Sequence, residues 1–491
     1  MAELQNHQNP NTSNVGEFDT YHQLIMAQEL QELQHDVMVS LSLMRFKWQR
    51  DNYSIPEDRP LKDVVKILLT ILNWIASCFV TEPVGEVVAT AVSAEEGHIT
   101  FYIASNRGRP REEDKEQGET FMQLVRYTIG LTDISLITRQ LLFIISPSIY
   151  RRFARKVNLI LNIDAPEVSV QDRFNAIVDR WAEGGNMEDD EHFLSHSKSD
   201  FAEDIDGNER LKRVFDHIVS TATEYSKDSP TDVEICRSRI ADFTVEVAAL
   251  LHTKFSKSFD NLGGQNGNPI HRCEQDFIWI LRLERRLLRV ARYLTGAIVF
   301  ARIGLPFIRD VLGANGTRTF QHGGPGVEIV WVGEQPGVLP PNHGCDVEMK
   351  LPPMTTLDRL FDLYGYEATD AEIPLETMKD IEELWSHPGS IKPCLHCELQ
   401  MILFLQKSNI EVKENAIGNN KLMCYACNKY MEKTWWDRWV LSGTSGKPHN
   451  GWLVPPSDLG ATVASNIKER TGFLVGQLAK KLGRSQDDYY D

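Results

Sequence analysis

The chain has 491 residues, 42% of them apolar and 25% charged, and a formal net charge of −17. That acidic balance argues against broad nonspecific affinity for nucleic acid, because phosphate binding needs surplus Lys and Arg, although one local basic groove stays compatible with it. Eight cysteines are too few for a disulfide scaffold, and four of them fall in two Cys-x-x-Cys pairs, which predicts metal binding in a reducing compartment, cytoplasmic or nuclear.

Residues 1–17 are Asn- and Gln-rich and predict disorder. Residues 18–60 form an N-terminal helical segment, with apolar residues at helical spacing over 21–48. No secretory signal is visible in the polar N-terminus. A second helix is predicted over 61–80; it is apolar on most faces and therefore central. "LLTILNWIASCFV" is apolar over 68–80 only, too short to span a bilayer, so no membrane association is expected.

The period then changes from helix to strand. "GEVVATAVSAEEGHITFYIASN" (85–106) contains two β-branched and aromatic runs around Glu-Glu-Gly and predicts a hairpin. "RGRPREEDKEQGE" (107–119) reads as a charged loop. From about 120 to 310 the pattern is mostly helical, and 311–353 is irregular with one strand candidate, "VEIVWV" (327–332). A helical segment at 356–386 leads into the first cysteine pair, and 461–491 predicts a terminal helix with a polar tail.

The chemistry concentrates in "KPCLHCELQMILFLQK" (392–407) and "NNKLMCYACNKYMEK" (419–433). Four thiolates, from Cys394, Cys397, Cys424 and Cys427, would make a closed structural site. Zinc ribbons place each pair on a tight turn with Gly close by, whereas both pairs here are followed by helix-forming sequence. The open alternative takes one nitrogen from His396 and two sulfurs from Cys424 and Cys427, leaving a fourth position to water. A helix start suits a Cys-x-x-Cys pair, because its amides and dipole stabilise thiolate. Glu398, two residues past the histidine, is then placed to take a proton from the activated water. A weak strand candidate, 409–418, lies between the two motifs.

His396-Cys397-Glu398 with Cys424-Tyr425-Ala426-Cys427 resembles the H-x-E and C-x-x-C arrangement of the cytidine deaminase-like superfamily, closest to its fungal and bacterial toxin-type branch, whose substrates are mostly unassigned. "RWVLSGTSGKPHNGWLVPP" (438–456) resembles the segment that follows in the fungal members. The resemblance implies a three-layer α/β/α core with a mixed sheet, built from 61–106 and 391–460, and a large, mainly helical insertion over 107–390. It implies a Zn²⁺ cofactor on His396, Cys424 and Cys427, with Glu398 catalytic, and a substrate that carries a cytosine or adenine base in a nucleotide or nucleic acid. Asn106, ending the second strand, resembles the substrate-facing Asn of the tRNA adenosine deaminases; an ordinary turn Asn is the plainer reading. Two positions depart from the pattern: Met423 stands where most of the superfamily has Pro, and Cys397 fills a position that is usually small. A noncatalytic zinc scaffold, or a binding module with a vestigial core, is the alternative if Cys394 or Cys397 closes the site.

Three further features have plain readings. Arg282, Arg285, Arg289 and Arg292 form one helical stripe, a solvated face or a phosphate-contacting one. Trp435, Trp436, Trp439 and Trp452 can stack a base or simply pack a core. His449 is a loop histidine, solvated or lining a pocket.

Overall fold

The computed structural model describes residues 31–44, 61–82, 86–161, 169–182, 207–227, 240, 243–248, 250–251, 274–335, 361, 393–434, 438–445, 447–449, 451–455 and 458–481. The predicted N-terminal disorder, the 356–386 helical segment apart from residue 361, Trp435 and Trp436 lie outside the described residues.

A five-stranded mixed sheet carries the fold, in the order β3-β2-β1-β4-β5. β1 (Val88–Glu95) and β2 (His98–Ser105) are the predicted hairpin, in register from Val88 opposite Ser105 to Glu95 opposite His98. Gly97 closes its turn at φ +76°, a conformation that costs most side chains energy. β3 (Val327–Trp331) adds parallel to β2. β4 (Ala416–Asn419) adds antiparallel to β1, and β5 (Val440–Leu441) lies parallel to β4. The 107–390 segment is thus not a purely helical addition, because it supplies an edge strand of this sheet.

Alternation along the strands makes two cores. Ile99, Phe101 and Ile103 of β2 face one side, and Tyr102 and Ala104 face the other. The first side is covered by α2 (Asp63–Cys78) and α3 (Glu112–Thr128), and beyond them by α4 (Ile134–Leu161), α5 (Val170–Ala182), α6 (Gly207–Lys227), α7 (Glu274–Val299) and α8 (Leu305–Gln321). The second side is covered by α1 (31–44), α9 (Cys397–Lys407), α10 (Tyr425–Thr434) and α11 (Asp458–Lys481). The architecture is α/β with helices on both faces of a mixed sheet, as the motif predicts.

α2 is the central helix. Leu69, Leu72, Ile75 and Ala76 are all buried in it, and Trp74 packs on Phe300 with ring centroids 5.1 Å apart. Its approach to β4 demands a residue without a side chain: a Cβ on Gly418 would lie 2.3 Å from the Leu72 Cβ. Asn73 fixes that contact by accepting the Asn419 N–H at 2.6 Å and donating to the Ser442 hydroxyl at 2.6 Å. A buried stripe on α7 packs against α2 and α4, including Leu283, Leu287 and Val290.

Three expectations need correction. The stretch read as irregular from 311 is helical as far as Gln321, the end of α8. The charged stretch 107–119 is a loop only as far as Arg111, and α3 begins at Glu112. Three acidic residues in its first turn favour the positive end of the helix dipole, and Asp114 accepts the Arg111 N–H at 2.8 Å. The charge run therefore reads as a helix start, not as solvated loop. The strand candidate 409–418 is strand only from Ala416; before it, Glu414 and Asn415 take positive φ and turn the chain.

Candidate metal centre

Two helix N-termini meet beside β4. His396 is the N-cap residue of α9, with extended backbone at ψ 146°. Cys424 immediately precedes α10, and its carbonyl accepts the first helical bond, from the Asn428 N–H at 3.0 Å. Its sulfur accepts the Cys427 N–H at 3.4 Å, so the thiol does the work usually done by a Ser or Asp N-cap oxygen. The His396 Nδ1 lies 3.5 Å from the Cys424 sulfur and 3.3 Å from the Cys427 sulfur.

These separations fit a metal ion. Ligands about 2.3 Å (sulfur) and 2.0–2.1 Å (nitrogen) from a common tetrahedral centre lie roughly 3.5 Å apart. His396, Cys424 and Cys427 place their ligand atoms within 4.8 Å of one another, and neither Cys394 nor Cys397 joins that group. The donor set is one imidazole and two sulfurs, three ligands that leave a tetrahedral ion one position free.

The electrostatics agree with a thiolate site. Burial pushes the Cys424 thiol up, but the bond from Cys427 and the charge on His396 outweigh it and hold Cys424 well below an ordinary thiol. Burial and the neighbouring Cys424 sulfur instead keep the proton on Cys427, which metal binding would have to displace. Glu398 is almost completely buried, in the first turn of α9. Burial raises its carboxyl above the ordinary value, against the pull of His396.

The remaining sulfurs have other partners. The Cys397 sulfur is fully buried and sits 3.5 Å from Glu398 Oε2. Cys394 is half-buried, and its backbone pairs with the loop after β5: its N–H donates to Gly451 O at 2.8 Å, and its carbonyl accepts the Leu453 N–H at 3.0 Å. Its sulfur acts on the His396 ring electrostatically and favours the charged imidazole, without joining the three-ligand cluster. The same loop holds the second motif, since the Met423 N–H donates to Gly443 O at 3.2 Å and the Tyr425 N–H to Lys447 O at 3.0 Å. The Met423 bond gives a physical reason for the departure at that position: proline has no N–H to donate.

Sequence reasoning under-weighted His449 and missed Asn73. The His449 ring is exposed and lies edge-on to His396, with centroids 5.3 Å apart, so it flanks the cluster from the loop. Asn73 gave no local signal, since its partners are 346 and 369 residues away along the chain. Asn106 follows β2 directly, in the turn at the end of the sheet where β4 leads into Cys424, and its Oδ1 accepts the Val87 N–H at 2.9 Å. Trp439 and Trp452 are buried in the second core, where they pack helices and loop. Arg282, Arg285, Arg289 and Arg292 are exposed on α7, which belongs to the other core.

A cluster of one half-buried imidazole and two buried sulfurs on two helix starts, backed by a carboxylate, defines a candidate metal centre in an α/β sheet protein. The family model of OTT_1508-like deaminases matches residues 395–456, which hold all three candidate ligands and Glu398. That segment is deaminase-like; the match leaves the rest of the chain uncovered. No curated protein and no solved structure matches the chain. Among the described residues, no helix is long and apolar enough to cross a membrane.

Proposed function

We propose that this protein is a zinc-dependent hydrolytic deaminase of an amino-bearing nucleobase, cytosine or adenine, in a nucleotide or nucleic acid. The observation that carries the proposal is the pairing of a three-donor site with the buried Glu398, both within the residues matched by the deaminase model. His396, Cys424 and Cys427 would hold the ion. Zinc bound there supplies Lewis acidity that makes water a nucleophile near neutral pH.

Glu398 would take one proton from the attacking water and pass it to the ring nitrogen, then take the remaining proton of the added hydroxyl and give it to the amino group, which leaves as ammonia while the ring carbonyl forms. Its burial serves both roles, because a carboxyl raised by desolvation accepts and releases a proton over a small free-energy gap. The α10 N-terminus steadies the Cys424 thiolate. Asn106 contacts the substrate from the strand end with its side-chain amide. The thiolates require a reducing compartment, cytoplasmic or nuclear.

A second reading has one observation in its favour. Cys394 stands two residues before His396 and acts electrostatically on its ring, so a small shift would bring a third sulfur to the ion and close the site as a structural one. X-ray absorption at the zinc edge separates the two readings: two sulfurs and two light atoms support the enzyme, and three sulfurs support the scaffold. On the enzyme reading, Glu398→Gln abolishes turnover of cytosine- or adenine-containing substrates and leaves zinc bound. Turnover that survives the substitution refutes the mechanism.

A further inference from the structure

Away from the metal centre, the helical layer contains a cleft of about 800 Å³. It opens between the start of α4, the end of α7 and the helical residues 243–248. Its volume falls within the range of about 300–1,000 Å³ typical of small-molecule sites. Leu142, Val245, Leu294 and Ile298 make one wall apolar.

Two arginines, Arg139 and Arg302, also line the cleft, together with the first turn of α4 from Asp133 to Thr138. Both are exposed, and neither has a hydrogen-bond or ion-pair partner in the described structure. The nearby carboxylate is otherwise engaged: Asp133 Oδ1 accepts the Ser135 N–H at 2.8 Å and the Leu136 N–H at 3.1 Å, capping α4. Two guanidiniums thus face one cleft without an ion-pair partner among the described residues.

Backbone geometry adds an independent sign. Arg302 lies in a π-helical turn, Phe300–Gly304, between α7 and α8. Such single turns insert one extra residue and occur frequently at functional sites. Here the turn keeps Phe300 in the core against Trp74 and Phe121 and presents Arg302 to the cleft. Gly304 permits it, because a Cβ there would lie 2.6 Å from the Phe300 ring.

We propose that this cleft binds an amphipathic anion, a carboxylate or phosphate monoester head on an unbranched apolar tail. The head pairs with Arg139 and Arg302, and the tail lies along Leu142, Val245, Leu294 and Ile298. Charge-assisted bonds from guanidinium to either head are strong, and the planar fork suits both. The site is separate from the deaminase reading and stands or falls without it.

The test is calorimetric titration of the full-length protein with dodecanoate, dodecyl phosphate, dodecanol and inorganic phosphate, each below its aggregation threshold. Dodecanoate or dodecyl phosphate should bind, and which of the two binds tighter identifies the head group. Dodecanol and inorganic phosphate should each bind at least about tenfold more weakly, since each lacks one half of the recognition. Arg139→Gln/Arg302→Gln should weaken the anionic amphiphile by at least about tenfold while leaving thermal unfolding and metal content unchanged. Each single Arg→Gln variant, expected to show part of that loss, stands in if the double variant unfolds. Equal binding of dodecanol and dodecanoate overturns the proposal. So does inorganic phosphate binding as tightly as the amphiphile, an arginine-independent affinity, or no binding by either anionic amphiphile.

Discussion

Replacing Gly418 by Ala tests how β4 and α2 together hold the metal centre. A Cβ at this position would meet Leu72 Cβ at 2.3 Å, Leu72 C at 2.4 Å and the Asn73 N at 2.6 Å. Ordinary carbon contacts begin near 3.5 Å, so the strand and the helix backbone must part by about 1 Å. Two of the three atoms are main-chain, and no rotamer change relieves the clash. Overpacking of this kind costs about 1–3 kcal/mol. Separation also strains the bonds of Asn73 to Asn419 and Ser442, worth about 1 kcal/mol each. The expected loss is about 3–5 kcal/mol, large for a single methyl group. Gly97→Ala is the control. That glycine has open space around it and only a positive φ, so its cost is about 1 kcal/mol. Urea unfolding of zinc-loaded protein at constant m gives both values from the shift in midpoint. If Gly418→Ala costs no more than Gly97→Ala, the close approach of α2 to β4 is not what holds this edge of the sheet.

Other substitutions probe single links. If the proposed zinc site is right, His396→Ala should lower the zinc content of the purified protein towards zero, measured by atomic emission after dialysis, because two thiolates alone hold an ion weakly. Met423→Pro removes the N–H given to Gly443 and should cost about 1 kcal/mol or more in urea unfolding. Glu86→Ala leaves the Thr81 and Glu82 amides without the carboxylate they share at 2.8 Å each, and should cost about 2–4 kcal/mol. Glu86→Gln reads the pH dependence of the same group. Burial raises this carboxyl above 4.5, so the folded state holds its proton more tightly than the unfolded chain. Its contribution is therefore greatest at low pH and is lost as pH rises above about 4.5, and the Gln variant should gain stability relative to the parent over that rise.

Local patterns were enough for the elements that carry the chemistry. Period-2 runs around Gly97 specify the hairpin, because each strand must place Ile99, Phe101 and Ile103 on one face and Tyr102 and Ala104 on the other. The apolar α2 announces itself as central. The cysteine pairs announce helix starts, since helix-forming residues follow each directly. The same local reading misjudged 107–119, because a dense charge run has one composition whether it is a loop or the first turn of a helix docked by Asp114, Gln117 and Gly118.

The choice among four sulfurs was beyond local reasoning. Cys394 and Cys397 sit as close to His396 in sequence as any ligand could, yet the sulfurs that share its space come from 28 and 31 residues away. Chain path decides this: β4 carries Cys424 and Cys427 to the N-terminus of α9, while the loop after β5 takes up the backbone of Cys394. The same long-range packing sets Asn73 beside Ser442 and requires glycine at 418. Sequence alone determined which side chains were available and that they begin helices, because propensity and capping act within one turn. Only the tertiary structure decided which of them meet, because a metal centre is a set of distances between segments that chain chemistry leaves independent until they pack on a common sheet.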